Sequence, residues 1–170
     1  TRKGLPIIAI VGYTNAGKST LLNHLTESRV TAENALFATL NPVSRRLRFP
    51  DERDVIVVDT VGFIRNLPKE LKAAFRTTFE ELHEADLLLH VIDASSKDIE
   101  EKHQTVRSML CELELDSKPL LLVLNKMDLC DPEVVQGLAA NTDGIPVSAM
   151  DTSSFGSLLG AIEAHFWSSG

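Results

Sequence analysis

The sequence predicts a three-layer α/β domain built on a mostly parallel, six-stranded sheet with flanking helices. Two observations carry that prediction. Short apolar, β-branched runs alternate with stretches of helical periodicity almost throughout, the pattern of consecutive strand–helix units. Four motifs rich in glycine or charge fall just past predicted strand ends, and that edge is where open α/β sheets bind ligands.

The elements follow in order. Leu5–Val11 is apolar and β-branched and stops at Gly12, as a buried parallel strand would. Lys18–Thr26 carries Leu21, Leu22 and Leu25 at helical spacing. Ser28–Ser44 has no clear period and reads as a long loop. Arg45–Phe49 alternates basic and apolar residues, the pattern of a half-exposed edge strand. Asp54–Asp59 holds Val55, Ile56, Val57 and Val58, a second buried strand. Pro68 opens a helix reaching about His83, with Leu71, Phe75, Phe79 and Leu82 along one face. Asp86–Asp93 is a strand, and Lys97–Leu115 a helix with Val106, Leu110 and Leu113 inward. Pro119–Asn125 is a strand, and Asp131 caps a short helix over Pro132–Ala140. Gly144–Ser148 is a last short strand. Ser153–Trp167 closes the chain as a helix with Leu158, Leu159, Ile162 and Phe166 on one stripe.

The 170 residues, 44% of them hydrophobic and 24% charged, suit one domain with a real core. Residues 1–170 are expected to be a single domain cut from a longer chain, since the sequence opens without Met one short step before its first strand. The longest apolar runs, near Leu87–Ile92 and Leu120–Leu124, are of strand length and too short to span a bilayer. A net charge of −7 argues against the whole domain being a nucleic-acid binder. Cys111 and Cys130 lack metal-type spacing and read as ordinary semi-buried thiols in a cytoplasmic setting.

Gly12-Tyr13-Thr14-Asn15-Ala16-Gly17-Lys18-Ser19 matches G-x-x-x-x-G-K-[ST]. Gly12 and Gly17 let the backbone wrap with N–H groups turned toward phosphate oxygens, those around Asn15, Ala16 and Thr20 among them. The following helix presents its positive end to the same anion. Lys18 places a cation between the β- and γ-phosphates, and the Ser19 hydroxyl is a magnesium ligand. Both are expected at an exposed helix start.

Asn125-Lys126-Met127-Asp128 matches N-K-x-D after a strand. The Asp128 carboxylate can accept from both the ring N–H and the exocyclic amine of guanine, donors that adenine lacks in that geometry. Lys126 can cover the base and ribose, and Asn125 can brace the phosphate loop. Ser148-Ala149 matches a loop whose backbone N–H reaches the guanine carbonyl. Asp59-Thr60-Val61-Gly62 matches D-x-x-G: Asp59 would hold magnesium through water, and the Gly62 N–H would bond the γ-phosphate. Thr39 is the candidate for a second hydroxyl ligand of magnesium, with Thr31 its competitor. Loops held only by the γ-phosphate and its metal loosen when it leaves, so Phe37, Thr39, Asp59, Gly62 and Phe63 fall in two expected switch segments. Lys18, Thr39 and Gly62 are the expected catalytic groups.

At this point the sequence resembles the HflX family of translational GTPases. The resemblance runs from the first predicted strand to the last helix. It is carried by Gly-Tyr-Thr-Asn-Ala-Gly-Lys-Ser-Thr at 12–20, Leu-Phe-Ala-Thr-Leu at 36–40, Asp-Thr-Val-Gly-Phe-Ile-Arg at 59–65 and Ala-Asp-Leu-Leu-Leu-His-Val-Ile-Asp-Ala-Ser at 85–95. It implies a Ras-like P-loop GTPase fold, slow hydrolysis of GTP with magnesium, and action on the large ribosomal subunit in splitting or rescue. A separate N-terminal domain is implied as well. The basic cluster Arg45, Arg46, Arg48 and Arg53 is the one local hint of RNA contact, against the reading of a solvated edge strand. Phe63 stands where Ras-like enzymes carry a water-orienting glutamine. That keeps open a second reading, a nucleotide-dependent binding module with negligible hydrolysis. Asn15 resembles the asparagine that helps hold potassium in the tRNA-modifying GTPase MnmE; its other reading is a loop residue bonding its own backbone.

Overall fold

A computed structural model describes residues 5–12, 17–25, 43–49, 53–59, 82–112 and 114–167. The elements are β1 (Ile7–Val11), α1 (Lys18–Leu25), β2 (Val43–Phe49), β3 (Arg53–Asp59), β4 (Leu87–Asp93), α2 (Ile99–Glu112), β5 (Leu120–Asn125), α3 (Pro132–Thr142), β6 (Ile145–Pro146) and α4 (Gly156–Trp167). One-turn 3-10 segments at Met127–Leu129 and Thr152–Phe155 follow β5 and precede α4. The sheet has six strands in the order β2-β3-β1-β4-β5-β6. All neighbours are parallel except the edge strand β2, which runs antiparallel to β3.

Both faces of the sheet are covered, and the period of two along each strand assigns the residues. Ile8 and Ile10 of β1 pack with Leu21, Leu22 and Leu25 of α1 and Leu158 and Ile162 of α4. Ile7, Ala9 and Val11 turn the other way, toward Val106 and Leu110 of α2. Leu122 and Leu124 of β5 meet Leu138 and Ala139 of α3. This is why β1 reads as a continuous apolar run instead of alternating. The three expected layers are therefore present.

Several boundaries differ from the sequence reading. β2 begins at Val43, two residues inside the predicted loop, because its ladder with β3 extends to the pair Val43↔Asp59. β6 keeps only Ile145 and Pro146. Beyond it Ser148 bridges to Asp151 in a local turn and leaves the sheet. Asp131 precedes α3, but its side chain makes no capping hydrogen bond. The helix start is set instead by Pro132, whose fixed φ suits the first helical position and which has no N–H to satisfy. Residues 82–84 are helical, whereas the remainder of the helix predicted from Pro68 lies outside the described residues. Cys111 is exposed and Cys130 half-buried, so only the second fits the expected thiol environment.

Arg53 is not part of a solvated edge. Its guanidinium is 2.7 Å from Glu163 of α4 and lies 4.9 Å from the Trp167 ring centre. Phe49, paired with Arg53 across β2 and β3, meets the same indole edge-on at 5.3 Å. This cluster clamps the connected end of the β2–β3 pair, where Phe49 faces Arg53, to α4.

His90 interrupts the apolar run of β4 and faces α2, where it stacks on His103 at 5.5 Å. It is 1% exposed, and its Nδ1 has no hydrogen-bond partner. Burial, with His103 and Arg107 nearby, pushes its pKa down from 6.5 to about 3. Burial and Arg107 lower His103 as well. A depressed histidine stays neutral in the fold while the unfolded chain takes up a proton below pH 6.5, so stability falls as pH drops through the window from 6.5 to about 3. At pH 5, His90 alone is expected to cost about 2 kcal/mol relative to neutral pH. Urea unfolding at pH 5 and 7.5 should show this difference, and His90→Leu should reduce it. An unchanged pH dependence in the variant would refute this account of His90.

Candidate nucleotide site

The predicted phosphate-loop and guanine-loop residues that lie within the described structure meet at the carboxyl edge of β1, β4 and β5. Gly12 ends β1 at φ +143, where a Cβ would sit 2.4 Å from the Val91 carbonyl oxygen of β4. No side chain fits there, and an L residue would resist that φ. Gly17 has φ +85, and a Cβ on it would lie 2.6 Å from Asn125 Nδ2. Gly12 is thus required by close backbone approach, and Gly17 by its positive φ and the Asn125 side chain packed against it. Residues 13–16, including Asn15 and Ala16, lie outside the described residues.

The Gly17 carbonyl accepts from Leu21 N–H at 2.9 Å, so α1 starts directly at the loop. Lys18, the first residue of α1, is 4% exposed, which corrects the expectation of an exposed helix start. A cation there faces the positive end of the helix dipole, the wrong end for stability. An anion docked at the same point would favour both the lysine and the dipole. Ser19 and Thr20 occupy the next two positions of α1.

Asn125 is the strut of the site. It is 1% exposed; its amide nitrogen abuts Gly17, and its Oδ1 accepts from the Ala149 N–H at 3.0 Å. The phosphate loop and the Ser148-Ala149 loop are therefore braced by one side chain. The Ser148 N–H donates to Ser154 Oγ at 2.9 Å. Both N–H groups offered for the guanine carbonyl are thus engaged within the chain, since Ser148 folds into its own turn with Asp151. His24 of α1 touches the Ala149 carbonyl through Nδ1, tying α1 to the same loop.

Lys126 adopts a left-handed conformation, φ 64 and ψ 33, which turns the chain from β5 into the Met127–Leu129 turn. Its Cε lies 3.8 Å from the Cβ point of Gly17, so the stem runs beside the phosphate loop. Asp128 sits exposed in the turn. The backbone puts Asp59 at the end of β3, beside Ile10 of β1. Thr39, Phe37, Gly62 and Phe63 lie outside the described residues. Ser19 near the start of α1 and Asp59 at the end of β3 bring to this edge residue types, a hydroxyl and a carboxylate, whose oxygens are of the hard type that magnesium prefers.

Two residues escaped the sequence reading. Asp93, the last residue of β4, reaches Lys126 Nζ with its Oδ2 at 3.3 Å. Its Oδ1 accepts from Ser95 N at 2.9 Å and Ser95 Oγ at 2.6 Å. Burial raises its pKa, but the Ser95 hydroxyl and N–H together with the Lys126 ammonium outweigh this and leave it below the usual value. A carboxylate closing an apolar strand was the available signal. His90 was the other, visible as the single polar residue within an apolar run. Among the described residues the buried polar side chains are Lys18, His90, Asn125 and Ser148, and all but His90 belong to this edge.

A phosphate-binding turn after β1 and a base-side turn after β5, joined through one buried asparagine, place the chain in the P-loop GTPase class. The family model described as "50S ribosome-binding GTPase" matches residues 7–126, and the chain belongs to that family. It is 50% identical over 163 residues to a GTPase HflX of Caldanaerobacter subterraneus subsp. tengcongensis, covering 96% of this chain and 37% of that protein. It is similar to the solved SsGBP–GDP complex, with a TM-score of 0.75, 30% identity, and coverage of 97% of this chain and 51% of that one. A structure of Era with MgGDPNP and a 16S ribosomal RNA segment aligns with a TM-score of 0.68 at 27% identity, covering 93% and 55%. No helix among the described residues is long and apolar enough to cross a membrane.

Proposed function

We propose that this domain is the GTP-hydrolysing switch of a longer protein that acts on the large ribosomal subunit, in ribosome splitting or rescue. The observation that carries the reading is the Asn125 strut. It couples the phosphate loop at Gly17 to the loop at Ala149, so one buried side chain sets the distance between a phosphate cradle and a base-reading turn. The resemblance to GTPase HflX supports the ribosomal role, which rests on the whole protein, including the expected N-terminal domain.

In this reading the N–H groups of Gly12, Asn15, Ala16, Gly17, Lys18, Ser19 and Thr20 cradle the phosphates. Lys18 neutralises charge developing between the β- and γ-phosphates. Ser19, Thr39 and Asp59 are the oxygen donors for magnesium, which neutralises phosphate charge when bound. Asp128 reads guanine, Lys126 covers the base, and the Gly62 N–H senses the γ-phosphate. Gly62 and Thr39 lie in loops that relax when the γ-phosphate leaves. The guanine carbonyl can be met at Ser148-Ala149 once a bound base competes for the Ala149 N–H now held by Asn125.

Phe63 carries no group that can orient water, so unassisted turnover should be slow, on the order of ~10⁻⁴ s⁻¹. Single-turnover hydrolysis with and without large ribosomal subunits tests the switch. Rates that stay at background in both conditions would favour the binding-module reading, to which Phe63 also points. The same assay in potassium and in sodium, at matched ionic strength, tests Asn15. A faster rate in potassium that Asn15→Ala abolishes is the expected outcome, because a cation near the bridging oxygen supplies positive charge. Equal rates in the two salts would eliminate potassium. Phe63→Ala should keep wild-type activity; a large loss would assign its ring to holding the switch loop.

A further inference from the structure

We propose that Asp93 is a positioning residue for nucleotide recognition, holding the Lys126 stem against the phosphate loop where it can lie on the base. The proposal rests on the reading of Lys126 as the residue that covers the base.

The geometry comes from the register of two neighbouring strands. β4 and β5 are parallel and pair Asp93 with Asn125, so the carboxylate emerges beside the residue just before Lys126. Ala94 N–H donates to the Asn125 carbonyl at 2.8 Å and closes the two strand ends together. The carboxylate's two oxygens divide the work. Oδ1 is fixed by the N–H and hydroxyl of Ser95, and Oδ2 is left for Lys126 Nζ at 3.3 Å.

Lysine needs such a fixture. Its four-carbon stem has considerable rotamer freedom to lose, and a stem free to rotate presents no fixed surface. Here both ends are held. The left-handed backbone at φ 64 aims the side chain off the line of β5, and Asp93 holds the ammonium. Between them the stem passes Gly17, with Cε 3.8 Å from that residue's Cβ point. The lowered Asp93 carboxyl pKa agrees with a carboxylate kept charged by these partners. A pair with Lys126 34% and Asp93 16% exposed contributes little to stability, so its effect should appear in binding.

Asp93→Asn isolates the charge, because the amide oxygen can still accept from Ser95 while the anion facing Lys126 is lost. The dissociation constant for GDP should rise about fivefold, the size of an exposed pair. The urea midpoint of the nucleotide-free domain should stay unchanged. In a Lys126→Met background, which keeps a stem without an ammonium, Asp93→Asn should cost nothing further. An equal loss in both backgrounds would overturn the proposal, as would a loss that tracks a lowered midpoint. Lys126→Ala separates the underlying reading. If it binds GDP as wild type does, Lys126 covers nothing and both ideas fall. If it binds weakly while Asp93→Asn binds normally, only the proposal falls.

Discussion

Asp128→Asn is expected to weaken GTP and GDP binding by about two orders of magnitude and to move preference toward xanthine nucleotides. In the proposed reading the carboxylate accepts from two guanine donors, and a charged hydrogen-bonding group left unpaired costs on the order of 3 kcal/mol. Sites built this way discriminate by roughly 10⁴-fold against a ligand lacking the donors. Xanthine replaces the amine donor with a carbonyl, to which the asparagine amide can donate. Asp128 sits exposed in the turn after β5, so the substitution should leave the unfolding midpoint where it was. Titrating wild type and variant with GDP, XDP and ADP decides the matter. Wild-type protein that bound ATP as tightly as GTP would end the guanine reading.

Lys18→Ala should abolish tight nucleotide binding, with at least a ~10²-fold loss, while leaving the nucleotide-free fold standing. In the proposed reading the binding loss follows from removing a buried cation placed beside the β- and γ-phosphates. The retained stability follows from position. Lys18 is buried at the start of α1, where a positive charge opposes the helix dipole, and alanine is the stronger helix former. A large drop in the midpoint of the nucleotide-free protein would show instead that the lysine holds α1 to the sheet. Ser19→Ala should spare the fold in the same way and act through magnesium dependence.

Much of the fold was legible because strand and helix periodicities differ, and because β1 and β5 read as apolar runs and β4 as one broken only by His90. The phosphate motif was legible because glycine at Gly12 and Gly17 answers a demand of backbone angle and space that other residues do not meet. Where the reading fell short, the cause was a partner distant in sequence. Arg53 looks like one more basic residue of an edge strand until Glu163 and Trp167 arrive from α4. Lys18 looks exposed because a helix start usually is; its burial depends on how the rest of the chain packs around that edge. Asp93 gains its meaning only from the β4–β5 register, which no local pattern records. Asp131 failed in the opposite direction, since a residue of the right type stood at a cap that Pro132 had already set.

Trp167 is the only tryptophan in the chain, and it packs where Phe49 and Arg53 end the β2–β3 pair. Those two strands connect the segment containing Thr39 to the one opening at Asp59. The domain thereby carries its own optical gauge. Indole emission responds to a guanidinium at 4.9 Å and to an aromatic edge at 5.3 Å, so any sliding of that strand pair against α4 changes the light from one identified side chain. Should the strand pair slide on nucleotide exchange, Trp167 emission is expected to shift on unlabelled protein, and Phe49→Leu or Arg53→Gln should change that signal.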